Sequence, residues 1–146
     1  MSKVIDWLLI NDMLHKGQTS GVNEMENQHI TVVYKWTANP GKLDELSAIY
    51  AKVTQAMEQN EPGTEAVHCY VSEKENALYV RDEFKDTQAM GFHLQTTAAG
   101  HFPQLMSIAT PGPFFFLGDV PQELQAATEQ MQLGAEFGLH TSGFNR

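Results

Sequence analysis

Residues 64–84 read TEAVHCYVSEKENALYVRDEF. Two runs rich in β-branched and aromatic residues flank the polar link EKEN, which spans residues 73–76. So short a link between strands predicts a hairpin, and the two strands are therefore antiparallel. Along the first, Val67, Cys69 and Val71 oppose His68 and Tyr70. Along the second, Leu78, Val80 and Phe84 oppose Tyr79, Arg81 and Glu83. Successive side chains of a strand point to opposite faces, so each strand carries bulky or polar groups on both.

Upstream, HITVVYKW at 29–36 has strand composition. After it, Asn39 can cap a helix with Pro40 near its first turn. Leu43, Leu46, Ile49, Tyr50, Val53 and Met57 then share one helical face, and NEPG at 60–63 ends it. Downstream of the hairpin, Asp86 starts a helical stretch that brings Ala89, Phe92, His93 and Thr96 together. Gly100 and Pro103 are expected to interrupt it, with PQLMSIA as a second short helix. GPFFFLGDV at 112–120 is a fourth strand, and Pro121 opens a helix over PQELQAATEQM.

The order between residues 28 and 119 is thus β-α-β-β-α-β, the ferredoxin-like α+β pattern of an antiparallel sheet with helices on one face. Residues 1–27 form an N-terminal arm. Ile5, Leu8, Leu9 and Met13 have the spacing of a short amphipathic helix there, and a polar linker follows. Residues 120–146 form a C-terminal helix and a tail, AEFGLHTSGFNR.

With 146 residues the chain suits one domain and one core. Its net charge of −9 and the lack of a basic stripe argue against nucleic acid as a partner. No apolar run is long enough to span a membrane. The single cysteine, Cys69, cannot close an internal disulfide, which fits a reducing cytoplasm, and its strand setting predicts a buried, inert thiol.

Two helices cover only one face of such a sheet. The other face would expose aromatic groups over an area that monomers avoid, so a homodimer with sheets packed face to face is expected. The alternative is that the arm and the C-terminal helix cover that face internally. A cavity between sheet and helices would have apolar walls and a few polar groups, as small-molecule pockets do. The available polar groups are His68, Tyr70, Tyr79, Arg81, Glu83 and His93.

Glu61-Pro62-Gly63 ahead of the second strand, followed by Glu83, Phe84, Asp86, Ala89 and His93 at the passage from third strand to helix, resembles the antibiotic biosynthesis monooxygenase family. The resemblance covers about residues 28–119. It implies a dimeric α+β barrel. It also implies oxidation of a small aromatic, phenolic or quinol-type molecule by O₂ without flavin, metal or other cofactor. A related branch degrades haem with an Asn on strand one, a Trp on strand three and a His on the next helix. Here ITVVYKW has no Asn and Phe84 replaces the Trp, so only His93 remains and haem degradation is disfavoured.

The aromatic-oxidising chemistry needs a base, and an imidazole titrates near neutral pH. His93 and His68 are the candidate bases, with Tyr70, Tyr79, Arg81 and Trp36 as candidate substrate-binding residues. Ordinary structural roles compete with these. A helical His among apolar residues usually bonds a nearby carboxylate or backbone group. Arg81 and Glu83 share a face and can form a simple ion pair. A zinc site is not expected. On a straight helix His93 and His101 would stand about 12 Å apart, and no metal-binding spacing accompanies them. A competing assignment is a non-catalytic dimer that binds a small hydrophobic ligand or a protein partner.

Overall fold

A computed structural model describes residues 29–146. The expected arm, with its helix and linker, lies outside the described residues. Within the described residues five strands and four α-helices follow one another. They are β1 (Ile30–Ala38), α1 (Leu43–Asn60), β2 (Thr64–Ser72), β3 (Ala77–Phe84), α2 (Thr87–His93), α3 (Ala99–Ile108), β4 (Ala109–Leu117), α4 (Gln122–Gln130) and β5 (Ala135–Gly138). A π-helical turn, Leu94–Ala98, joins α2 to α3. The sheet order is β2-β3-β1-β4-β5, antiparallel except for the parallel pair β4 and β5. The first four strands are the ferredoxin-like set with its helices on one face.

The alternation of β1 decides which face carries the core. Ile30, Val32, Tyr34 and Trp36 are buried, while Thr31, Val33 and Lys35 face the other way and are half-buried. Register then assigns the neighbours. Val32 sits opposite Asp82 and Phe116, and Tyr34 opposite Val80 and Phe114. The helix-facing layer is therefore continuous from β3 to β4. Leu46, Ile49, Tyr50, Val53 and Met57 of α1 close over it.

Three local details differ from the sequence expectations. α1 begins at Leu43, not at Asn39. Residues 39–42 form a tight turn in which Lys42 N–H bonds Asn39 C=O at 2.9 Å, and Gly41 adopts φ +77°, a conformation glycine takes at little cost. Asp44 and Glu45 then fill the first turn, where the helix dipole favours acid. Secondly, α3 runs through Gly100 and Pro103 without breaking. The irregularity lies upstream, in the π-turn. Pro103 has no N–H to offer Ala99 and so sits just past the change of helical register. Thirdly, Cys69 is exposed, not buried. It lies on edge strand β2, and Val71 two residues on is likewise exposed. Its sulfur lies 3.7 Å from Thr54 Oγ1, and desolvation of the sulfur raises the thiol pKa.

As the sequence suggested, Asp86 caps α2, accepting a bond from Ala89 N–H at 2.8 Å. The tail finds its partner in β4. Phe137 lies opposite Phe116 and stacks on it with ring centroids 5.4 Å apart. No helix among the described residues is long and apolar enough to cross a membrane.

Candidate functional site

The helix-facing layer encloses a cavity of about 50 Å³ between β1, β3, β4 and the α2–α3 segment. That is room for roughly four water molecules. Its walls are mainly apolar, including Phe84, Met90, Leu94, Leu105, Phe114 and Phe116. Into this surface project Tyr34, Trp36, Tyr50, Asp82, His93 and His101.

His93 ends α2. Its Nδ1 lies 3.0 Å from Glu61 Oε2, and both residues are buried. Glu61 follows the last turn of α1 and is pinned there, since its N–H bonds Met57 C=O and its Oε1 accepts from Thr64 Oγ1 at 2.7 Å. Burial alone would raise the Glu61 carboxyl pKa, but the bond and charge of His93, with the Thr97 and Thr64 hydroxyls, hold it below its usual range. Burial likewise opposes a charged His93, but the bond to Glu61 and the nearby Asp82 and Glu61 charges win and raise its pKa. An ionised carboxylate only accepts, so Nδ1 carries the hydrogen and the neutral ring presents its lone pair at Nε2.

Asp82 is 1% exposed and sits among apolar residues on the core phase of β3. Burial pushes its carboxyl up to about 6, against the restraining charge of His93 and the Tyr34 bond. Tyr34 donates to Asp82 Oδ2 at 2.9 Å, and the Tyr34 and Tyr50 hydroxyls are 2.6 Å apart. Desolvation, followed by the Asp82 charge, raises both phenols well above their usual pKa. Among the described residues Asp82 Oδ1 has no hydrogen-bond partner. The indole N–H of Trp36 faces the Tyr50 hydroxyl without a well-formed bond.

Between Tyr34 and Trp36 a single β1 residue, Lys35, stands against two of β4, Gly112 and Pro113, a bulge in which Gly112 takes φ +115°. A Cβ at Gly112 would lie 2.7 Å from Leu133 C=O. Such bulges re-aim side chains beside functional sites.

The π-turn has a geometric consequence. Eight α-helical steps would turn His101 about 80° away from His93, but one inserted residue reduces the offset to roughly 20°. Both histidines therefore line one wall, about two turns or 11 Å apart. His101 is half-buried at the rim, and its Nδ1 donates to Thr97 C=O at 3.0 Å.

Of the six residues picked out from sequence, His93 and Trp36 meet in the cavity. His68, Tyr70, Tyr79 and Arg81 do not reach it. Register pairs His68 with Arg81 and Tyr70 with Tyr79 on the opposite, open face of the sheet. There Arg81 approaches Glu83 at 3.6 Å, and His29 joins Glu83 to Glu65. Sequence reasoning missed Glu61, Tyr34, Tyr50 and Asp82 as site residues. The signal for Asp82 was present, since it occupies the core phase of 78, 80, 82 and 84.

The family model described as antibiotic biosynthesis monooxygenase matches residues 29–104. No curated protein matches the chain. Among solved structures, MupZ from Pseudomonas fluorescens superposes with TM-score 0.68 at 16% identity, covering 82% of this chain and 96% of its own. Protein SO0527 from Shewanella oneidensis gives TM-score 0.58 at 20% identity, covering 64% and 93%. A candidate antibiotic biosynthesis monooxygenase from Caulobacter crescentus CB15 gives 0.58 at 18%, covering 68% and 96%. At these identities the likeness speaks for the fold alone.

Proposed function

Because the chain belongs to the antibiotic biosynthesis monooxygenase family, we propose that its cavity takes a small aromatic, phenolic or quinol-type molecule and that the protein oxidises it with O₂, using no flavin or metal. The observation that carries this reading is His93. Its Nδ1 is committed to Glu61, which leaves Nε2 as a base in an apolar cavity.

In this scheme Nε2 takes the hydroxyl proton, and the Glu61 carboxylate steadies the imidazolium that forms. The substrate anion gives one electron to O₂, and the resulting radical pair joins as a carbon–oxygen bond. Loss of the ring hydrogen as a proton and cleavage of the O–O bond leave a quinone carbonyl and one water. The hydroxyl and ring hydrogens both end in that water, so atoms and electrons balance. The apolar walls keep bulk water from the radical pair. Trp36 and the stacked Tyr34 and Phe114 rings, 4.3 Å apart, supply flat surface against a substrate ring.

We assign the open sheet face, with Tyr70, Tyr79, Phe115 and Leu117, to contact with a second copy of the chain in a cytoplasmic homodimer. His68 and Arg81 belong to that face in this reading, not to the chemistry.

The test is O₂ consumption by metal-free, flavin-free protein offered hydroquinones and anthrone-like phenols. A non-catalytic binder of a hydrophobic ligand is the second reading, favoured by the mainly apolar lining. It predicts dye binding in the cavity with no O₂ uptake.

A further inference from the structure

The polar groups along the cavity form a chain with one direction. The Asp82 carboxylate accepts at Oδ2, so the one hydroxyl hydrogen of Tyr34 is spent there. The 2.6 Å contact between the two phenols must then be donated by Tyr50. The Tyr50 oxygen, in turn, is what the Trp36 N–H faces. Every donor in the row points toward Asp82, and the row ends on a carboxylate whose second oxygen, Oδ1, is buried and unpartnered. Buried carboxylate oxygens without a donor are costly and rare in native proteins.

We propose that Asp82 Oδ1 docks a ligand hydroxyl other than the one His93 deprotonates, as the second hydroxyl of a quinol would be, and that the cavity therefore selects an uncharged O–H donor over the matching ether or anion. This rests on the reading of the cavity as the substrate site and narrows the class it takes. An ether offers Oδ1 no hydrogen. An anion would meet the buried Asp82 carboxylate, with the buried Glu61 carboxylate behind His93, in a chain of net charge −9. The ionisable groups around Asp82 are Tyr34 on β1, Tyr50 and Glu61 on and after α1, His93 on α2 and Glu83 on β3 itself. Of these only His93 can be cationic, and Glu61 already engages it.

The experiment is a ¹⁹F NMR titration of the full chain at about pH 8 with two one-ring probes, 4-fluorophenol and 4-fluoroanisole. Both are uncharged there, the phenol because such hydroxyls titrate near 10. The phenol is expected to bind about tenfold tighter or more, the difference one bond to a charged acceptor makes.

Asp82→Asn gives the sharper readout. Tyr34 keeps donating to the amide oxygen, so the amide nitrogen turns to where Oδ1 stood and an acceptor becomes a donor. The preference is expected to vanish or reverse toward 4-fluoroanisole. A merely structural Asp82 would weaken both probes alike. Affinities within about twofold in the wild-type chain overturn the inference without need of any variant, and so does an unchanged preference in a folded Asp82→Asn. If neither probe binds, the cavity is not the ligand site and both readings fall. If the preference holds while O₂ uptake is absent, only the oxidative function falls.

Discussion

Tyr34 donates its single hydroxyl hydrogen to Asp82 at 2.9 Å, which obliges Tyr50 to be the donor in its own 2.6 Å bond to Tyr34. This fixed polarity ties a strand, a helix and a buried acid into one unit at the cavity wall. Burial, which the Tyr34 bond only partly offsets, makes an ionised Asp82 costly in the folded state, with consequences for stability.

The folded pKa of Asp82, about 6, lies above its ordinary 3.8. The native state therefore holds this proton more tightly than the unfolded chain. The stability that the protonated form enjoys is present below about pH 4 and is lost as pH rises through about 6. The full rise corresponds to roughly 3 kcal/mol. Asp82→Asn is therefore expected to be more stable than the wild-type chain at about pH 8, by up to roughly 3 kcal/mol, with the gap shrinking toward pH 4. Urea unfolding at the two pH values checks this. A variant equally destabilised at both would contradict it.

The Glu61–His93 pair has the opposite sign. Glu61 is held below its usual pKa and His93 above its own. The Glu61 contribution is present above the ordinary carboxylate pKa and lost as pH falls through the lowered one. The His93 contribution is present below the ordinary histidine pKa and lost as pH rises through the raised one. The pair thus contributes most between about pH 4.5 and 6.5. Glu61→Gln is expected to cost roughly 3 kcal/mol in that window. It is also expected to lower the His93 titration midpoint, read by ¹⁵N-edited NMR of the ring. An unmoved midpoint would show that Glu61 does not set the basicity of His93.

Two glycines give contrasting packing tests. A Cβ at Gly63 would lie 2.6 Å from the Ala89 Cβ, forcing α2 away from the turn that carries Glu61. Gly63→Ala is expected to destabilise by roughly 1–3 kcal/mol. At Gly100, inside α3, a Cβ would meet nothing within 4 Å. Gly100→Ala is expected to stabilise by about 0.5–1 kcal/mol. Thermal unfolding of both variants decides whether the α2–α3 segment packs as described.

The open sheet face predicts the assembly. Sedimentation equilibrium is expected to give a dimer, and Phe115→Glu to give the monomer with its fold retained by circular dichroism. Wild-type protein sedimenting only at 16.3 kDa would contradict the proposed interface.

Much of the fold was legible in the sequence. The alternation in TEAVHCYVS and ALYVRDEF, the apolar face from Leu43 to Met57 and the capping Asp86 each carry a local physical signal. The sheet's fifth strand was not legible, because Ala135–Gly138 is short and becomes a strand only through pairing with β4. Nor was the π-turn, which no residue type in LQTTA announces and which alone brings His101 to the wall beside His93.

The candidate site was half legible. His93 stood out as a titratable group on an apolar helix face. Glu61 read only as a turn residue, since nothing local reveals that His93 and Thr64 hold it in a buried position. Asp82 shared its phase with Leu78, Val80 and Phe84, but a charged residue in a strand is read by default as solvent-facing. Tyr70, Tyr79, Arg81 and His68 looked like pocket residues because sequence alternation separates two faces without saying which one the helices cover.

The measurement that bears most directly on the central claim is O₂ consumption by metal-free, flavin-free protein with hydroquinones and anthrone-like phenols, run beside His93→Ala. Uptake above the uncatalysed autoxidation rate is expected, falling by roughly 10²-fold or more in the variant. Uptake no faster than autoxidation with every substrate, or equal rates in the two proteins, would contradict it.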